Sequence, residues 1–307
     1  MDEQLPILYF DHPFPEAYRD LIEGRAVAVG PDDADLATAH AVLAGAKRSW
    51  DAEAFALGGS LKVISRIGIG YDNVDVAAAT AAGVIVCNAP EAPSVSTAEH
   101  ALMLMLAIVK NLPAQTERAR QGLAGAAVGT ALELDGSVLG LVGYGRIARR
   151  VGIAATALGM SVLAYDPYIN DAEGCRLVGL DEVFAGSDVI SLHAPAVAET
   201  RHMINADSLA AMKHGVYLVN CARGGLVDQE ALLEALESGR VAGAGLDVTD
   251  PEPLPEGHPL LQHPRVIVTP HVASATVAGR RRLYEHAIDN ALNVLAGRPA
   301  TIVTATG

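Results

Sequence analysis

Three side chains that handle protons and anions each follow a short apolar run. Arg223 ends "VYLVNCAR" in front of two glycines, Glu252 lies in "VTDPEP" after "VAGAGLD", and His271 follows "RVIVTP". An arginine is expensive to hold beside a core unless something anionic meets it. It is always charged, and its fork can grip a carboxylate while polarising a carbonyl. Histidine is the natural proton donor near pH 7, and a carboxylate beside it would orient the ring. Taken singly, each residue also has an ordinary explanation. Arg223 could be a surface cation flanked by glycines, Glu252 a loop residue between Pro251 and Pro253, and His271 a satisfied core histidine. Taken together, each at the end of a predicted strand, they favour work on a small carboxylate.

A second constellation precedes them. "SVLGLVG" runs into Gly143-x-Gly145-x-x-Ala148, a helical stretch Arg146–Leu158 follows, and "SVLAYD" ends in Asp166. Glycines at this spacing allow a tight turn and let backbone N–H groups approach a pyrophosphate at a helix N-terminus. An acid about 20 residues further on can bind a ribose 2′-hydroxyl and repels a 2′-phosphate. With strand, helix, strand and acid in order, the pattern reads as a nucleotide site that prefers NAD to NADP.

The elements that must position these residues alternate along the chain. Candidate strands are "PILYF", "AVAV", "AHAVLA", "LKVIS", "VIVCN", "SVLGLVG", "SVLAYD", "DVISLH", "VYLVNC", "VAGAGLDV" and "RVIVTP". Most are continuously apolar, as strands buried on both faces are. Helices are predicted at Asp75–Ala82, Arg146–Leu158, Asp228–Ser238 and Ala278–Leu295, with a Met- and Leu-rich helix at "ALMLMLAIV". Strand–helix alternation implies an α/β fold of parallel sheets with right-handed crossovers. The strands form two groups, one ending near Pro90 and one opening near Leu139. "QGLAGAAVGTALELDG" reads as an arm or loop between domains. In open α/β sheets ligands bind beyond the carboxyl ends of strands, where Arg223, Glu252 and His271 fall.

The bulk numbers agree with this reading. A chain of 307 residues suggests two domains at roughly 150 residues each. The formal net charge is −14, which argues against nucleic acid and acidic membranes as partners. The three cysteines, Cys87, Cys175 and Cys221, are widely spaced, which predicts free thiols, no disulfide framework and no metal site. A reducing cytoplasm fits. "MDEQLPILYF" lacks the basic start and long apolar run of a signal peptide. The run "ALMLMLAIV" is far shorter than the ~20 residues of a membrane span.

Six stretches carry a resemblance over nearly the whole chain. They are "GIGYDNVDVAAATAAGVIVCNAP", "STAEHALML", "LGLVGYGRIARRV", "VISLHAPAVAETRHMINADSLAAMKHGVYLVNCARGGLVDQEALLEAL", "GAGLDVTDPEPL" and "VTPHVASAT". In this order they resemble the D-isomer-specific 2-hydroxyacid dehydrogenases. The resemblance implies two doubly wound parallel-sheet domains. One is a discontinuous, flavodoxin-like substrate domain (residues 1–98 and 282–307), and the other is a Rossmann NAD-binding domain (99–281). It also implies a homodimer. Arg223 would bind the substrate carboxylate and carbonyl, His271 would be the acid/base, and Glu252 would tune it. Asp247 would face the nicotinamide carboxamide. Thr97, Arg146, Ile147, His193, Pro195 and Cys221 would line the cofactor with Gly143, Gly145 and Asp166. Gly68, Ile69 and Gly70 would offer N–H groups to the substrate carboxylate.

The chain departs from relatives at several points. Formate-oxidising relatives have Gln-Pro where this chain has Glu252-Pro253, and phosphite-oxidising ones have Lys where it has Ile69. Both activities are therefore disfavoured. A Trp common in the segment "QGLAGAAVGTAL" is absent, and Ala148 replaces the commoner third glycine. "KRSWDAE" resembles the Arg-Ser segment that phosphoglycerate dehydrogenases use near substrate, which flags Arg48 and Ser49, although Pro93 stands in the position of an Asn there. The expected reaction is reversible hydride transfer between NADH and a 2-keto acid in a cleft that closes to exclude water. Two alternatives remain open: D-3-phosphoglycerate as substrate, and an NADH-responsive corepressor-like binding protein on the same scaffold.

Overall fold

The computed structural model describes residues 5–125 and 131–303. The chain divides into two compact units, Met1–Ser94 with Ala275–Gly307, and Val95–Ser274. The joins expected after residue 98 and before residue 282 would fall inside the helices Ser94–Val109 and Val277–Leu295. A helix packs as one rigid body, so each of these goes almost whole with a single unit.

The first unit is a five-stranded parallel sheet of β1 (Ile7–Phe10), β2 (Val27–Val29), β3 (Ala41–Ala44), β4 (Val63–Arg66) and β5 (Ile85–Cys87). Its order, β2-β1-β3-β4-β5, is that of flavodoxin-like sheets. One face is covered by Ala287, Ile288, Ala291 and Leu292 of the helix Val277–Leu295. The other carries Trp50, Phe55, Leu61 and Ala79. Every residue of β3 and β4 is buried; β3 accordingly runs apolar without alternation, while β4 ends in the buried polar pair Ser65 and Arg66.

The second unit holds β6 (Val138–Val142), β7 (Ser161–Tyr165), β8 (Arg176–Leu177), β9 (Val189–Leu192), β10 (Val216–Asn220), β11 (Val241–Leu246) and β12 (Val266–Val268). They pair in parallel in the order β12-β11-β10-β9-β6-β7-β8. The chain starts centrally at β6, runs outward to β8, then returns to β9 and runs the other way. This is a Rossmann sheet with one added strand, and its order reverses between β6 and β9. The helices Ser94–Val109 and Arg146–Ala157 bury Leu104, Met105, Ile108, Ala148 and Val151 on one face. The helices Leu180–Gly186, Ala206–Ala211 and Gln229–Glu237 cover the other.

Two elements differ from the expectation. The edge strand β8 has only two residues, too few for a periodicity to register. A further helix, Leu112–Arg120, follows the Met- and Leu-rich one, opened by Asn111 in a left-handed conformation. Of the expected arm, residues 126–130 lie outside the described residues. Among the described residues, no single helix is long and apolar enough to cross a membrane. None of the three cysteines is paired: Cys87 is buried, while Cys175 and Cys221 are half-buried.

Candidate active site

The glycine loop leaves β6 at the point where the sheet order reverses. Gly143 has φ +86°, and a Cβ there would stand 2.8 Å from Ala194 N and from His193 C. Only glycine satisfies both the torsion and the close approach. Gly143 N–H donates to Tyr165 O at 2.7 Å. Tyr144 is buried beneath the Arg149 guanidinium, 4.7 Å from its ring centroid, and its hydroxyl donates to Glu173 O at 2.8 Å. Burial, with Cys175 second, pushes this phenol up to about 12.

Gly145 then opens the helix Arg146–Ala157 with no capping side chain and no acid in the first turn. A Cβ on Gly145 would meet nothing within 4 Å. The helix start thus has no N-cap side chain and leaves room at Gly145, an arrangement that fits a pyrophosphate. Fully buried Ala148 supplies the small residue that lets the helix lie close to the sheet.

Asp166, just past β7, accepts from Tyr144 N through Oδ2 and from Tyr168 N through Oδ1, both at 2.9 Å. Each carboxylate oxygen keeps a further lone pair for a ribose hydroxyl. His193 follows β9, with Ser191 Oγ 2.9 Å from its Nε2, and burial pushes its imidazole down to about 4. The ring is therefore neutral at pH 7. Pro195 is exposed two residues further on. Ile147 is half-buried, and Thr97 is buried in the first turn of the helix Ser94–Val109. Cys221 follows β10, and its thiol is raised by burial and by the charge of Asp247.

Arg223, Glu252 and His271 all belong to the second unit, beyond the carboxyl ends of β10, β11 and β12. The buried Asn220 side chain shapes the Arg223 turn: its Oδ1 accepts from Ala222 N at 3.0 Å and its Nδ2 donates to Arg223 O at 2.8 Å. Arg223 itself donates from Nη1 to Ala222 O at 2.6 Å. The next residue, Gly224, lies against the following loop so closely that a Cβ would sit 2.1 Å from both C and O of Thr249. Gln229 clasps the same loop, donating to Asp250 O and accepting from Asp250 N. The Arg223 turn and the Glu252 loop are thus held as one piece.

Glu252 Oε1 and His271 Nδ1 are 2.7 Å apart, with side chains 40% and 43% exposed. A pair this accessible is poorly placed to add stability and well placed to meet a ligand. An ionised Glu252 accepts from Nδ1–H, which leaves Nε2 of His271 for proton transfer. His271 has φ +53°, a conformation uncommon for a residue other than glycine.

Asp247, at the end of β11, is turned inward, and its side chain has no exposed surface. Oδ1 accepts from Thr269 Oγ1 at 2.6 Å and Val272 N at 2.9 Å, and Oδ2 accepts from Ala273 N at 2.9 Å. His100 Nε2 stands 3.3 Å from Oδ1 and 2.9 Å from Thr269 Oγ1. Burial alone would raise the carboxyl pKa. The hydrogen bonds from His100 and Thr269, then those from the two N–H groups, outweigh burial and hold it below the usual carboxylate range.

The remaining expected residues lie in the first unit. After β4, Ala89 N donates to Gly68 O at 2.9 Å, Asn88 Nδ2 to Ile69 O at 2.8 Å and Arg66 Nε to Gly70 O at 2.8 Å. All three carbonyls are tethered, whereas the N–H groups of residues 68–70 meet no acceptor among the described residues. Successive N–H groups left unbonded in this way are free to donate to an anion. Arg48 is engaged within its own unit: Nη1 donates to Tyr9 Oη at 3.0 Å and to Asp33, and the guanidinium lies 4.6 Å from the Trp50 ring centroid. Ser49 is exposed.

Several supporting residues escaped the sequence reading. Gly224, Asn88 and Thr269 act through contacts between separate segments, which no local pattern records, while Asn220 and Arg66 shape the turns just after their own strands. His100 did leave a signal. It precedes Leu104 and Ile108 at helical spacing, so it is a polar residue on the buried row of an apolar helix. Among the described residues, no group of three or more His, Cys, Asp or Glu could hold a metal ion.

Residues 102–273 match the family model "D-isomer specific 2-hydroxyacid dehydrogenase, NAD binding domain". D-3-phosphoglycerate dehydrogenase of Mycobacterium bovis is 40% identical over 289 residues, covering 92% of this chain and 54% of that one. The chain spans about half the length of the curated relatives it matches. The TT0316 protein from Thermus thermophilus superposes with a TM-score of 0.88 at 37% identity, covering 97% of this chain and 100% of the other. A glyoxylate reductase from Paecilomyes thermophila does so at 0.88 and 31% identity, with 99% of each covered.

Proposed function

Because the chain belongs to the D-isomer specific 2-hydroxyacid dehydrogenase family, we propose that it is an NAD-dependent dehydrogenase that interconverts a D-2-hydroxy acid and its 2-keto acid. The observation that carries the proposal is the pair Glu252 Oε1–His271 Nδ1 at 2.7 Å, fixed to the Arg223 turn through Gly224 and Gln229. The nicotinamide, when bound, supplies or takes the hydride. Arg223 grips the substrate carboxylate and draws charge from the carbonyl. His271, oriented by Glu252, donates from Nε2 to the oxygen that develops negative charge, and takes the proton back in the oxidative direction. Asp166 receives the ribose and disfavours a 2′-phosphate. The N–H groups of residues 68–70 form a second seat for a carboxylate in the first unit. The protein is further proposed to be cytoplasmic and to pair as a homodimer.

A phosphorylated substrate is the second reading. It is favoured by relatives named D-3-phosphoglycerate dehydrogenase at 38–42% identity. It is disfavoured by the engagement of Arg48 with Asp33, Tyr9 and Trp50. Oxidation of NADH and of NADPH, followed with glyoxylate, hydroxypyruvate, pyruvate, 2-ketoisocaproate and 3-phosphohydroxypyruvate, tests both readings. Turnover with NADH is expected on at least one acid, and His271→Ala should lose ~10²–10⁴-fold in kcat while still binding NADH. Near-normal turnover of His271→Ala, or a preference for NADPH, would overturn the assignments of His271 and Asp166 respectively. Peptide binding without turnover on any acid would favour the corepressor-like alternative.

A further inference from the structure

The turn that carries His271 is held from beneath mainly by Asp247, with His271 N also shared with Thr269 O at 3.0 Å. Asp247 accepts His271 N at its backbone oxygen, at 2.8 Å, and takes Val272 N and Ala273 N at its carboxylate. The three N–H groups of residues 271–273 therefore converge on Asp247, which keeps His271 at φ +53° against the preference of its side chain. A buried carboxylate can do this only if its remaining lone pairs are also met. Thr269 Oγ1 and His100 Nε2 meet them, at 2.6 and 3.3 Å, and His100 reaches Thr269 Oγ1 at 2.9 Å. His100 belongs to the helix Ser94–Val109, remote in sequence from the turn. Its ring is nearly enclosed, so an N–H on Nε2 has Thr269 and Asp247 as its partners.

From this geometry we infer that His100 is a positioning residue for His271, acting through Thr269 and Asp247 on the backbone of the 269–273 turn. The inference rests on the proposed role of His271 as acid/base. The Nε2–H of His100 and the hydroxyl of Thr269 share one carboxylate oxygen. Removing either donor unbalances the set that fixes this carboxylate, so Asp247 shifts toward the donors that remain, Val272 N among them. The turn follows, and His271 Nδ1 loses its alignment with Glu252 Oε1. Misplacement by about 1 Å at a proton-transfer site costs about 10²-fold in rate.

The test compares His100→Leu, which keeps bulk but no donor, with His100→Gln, whose Nε2 can reach the same acceptors. Thr269→Val and Thr269→Ser form a parallel pair. Each is measured for kcat and KM on the best 2-keto acid, for NADH affinity, for Tm, and for the downfield proton resonance of His271 Nδ1–H on Glu252. His100→Leu should lose about 10²-fold in kcat, with KM and NADH affinity little moved and the His271 proton signal lost or broadened. His100→Gln should restore both. Should His100→Leu fail to fold, the Thr269 pair carries the same expectation, loss in Val and recovery in Ser. Wild-type kcat and an unchanged His271 signal in His100→Leu would overturn the inference, as would equal loss in Leu and Gln with the signal intact. A wild-type protein that turns over none of the acids would sink the dehydrogenase reading instead, while the resonance still decides whether His100 positions His271.

Discussion

Gly224→Ala should damage stability and turnover together, because it forces apart the two loops that carry Arg223 and Glu252. The new Cβ would lie 2.1 Å from C and O of Thr249 and 2.7 Å from Asp250 N. These are backbone atoms and cannot rotate away. Restoring a carbon–carbon separation of ~3.5 Å requires the loop to retreat by roughly 1.4 Å. Overpacking of this kind costs ~1–3 kcal/mol. The retreat also strains the Gln229 clasp on Asp250 and the Thr249 Oγ1–Pro251 O bond of 3.0 Å, each worth about 1 kcal/mol. A total near 3 kcal/mol lowers Tm by about 6–12 °C for a unit of this size. A shift above 1 Å in Glu252 should lower kcat by about 10²-fold. Gly225→Ala is the control, because its Cβ would meet only Asp250 Oδ2, at an ordinary 3.7 Å. It should keep Tm within about 1 kcal/mol equivalent and retain turnover. Thermal unfolding by circular dichroism and NADH-linked kinetics on both variants decide the matter. Wild-type Tm and kcat in Gly224→Ala, or equal loss in both variants, would refute the idea that this contact locks the two loops.

Two further expectations concern the second unit. Burial holds His193 at about 4, below the ~6.5 of a free histidine, so the unfolded chain binds more protons between those values. Its contribution is complete above pH 6.5 and is lost as the pH falls toward 4, by up to about 3 kcal/mol. Urea unfolding of wild type and His193→Gln at pH 7.5 and 4.5 should show a smaller pH dependence in the variant, and equal dependence would contradict the assignment. The proposed homodimer would cover Met103, Leu106 and Leu112, which stand exposed on the helices Ser94–Val109 and Leu112–Arg120. Sedimentation of Met103→Glu/Leu106→Glu should then give a monomer where wild type gives a dimer, and a variant that stays dimeric would place the interface elsewhere.

Much of this was legible in the sequence, for physical reasons. Strands buried on both faces are mostly apolar, so "VYLVN" and "VISLH" announce themselves. Residues that follow such strands in a parallel sheet are delivered to one edge, so Arg223, Glu252 and His271 could be grouped before any contact was known. What stayed hidden was cross-chain in nature. Gly224 is required by the loop at Thr249, and nothing near "RGG" records that loop. His100 matters through Thr269 and Asp247, and helical spacing shows only that it faces inward. The two residues of β8 are too few to carry a period. The inward turn of Asp247 could not be read from its position, because strand ends locate a residue without fixing where its side chain points.

Asp166 carries a consequence for how cofactor preference could change. The carboxylate suited to a ribose hydroxyl also holds the N–H of Tyr144 between the two loop glycines, and that of Tyr168 beyond β7. A residue without an acceptor here would admit a 2′-phosphate and at the same stroke release the glycine turn. Tyr168 is well exposed, and water can satisfy its N–H. The N–H of Tyr144 sits under the loop, where an unmet donor costs ~1–3 kcal/mol. Recognition and scaffold are soldered at one side chain, so a change toward NADPH here must remove the charge and still keep an acceptor for the Tyr144 N–H.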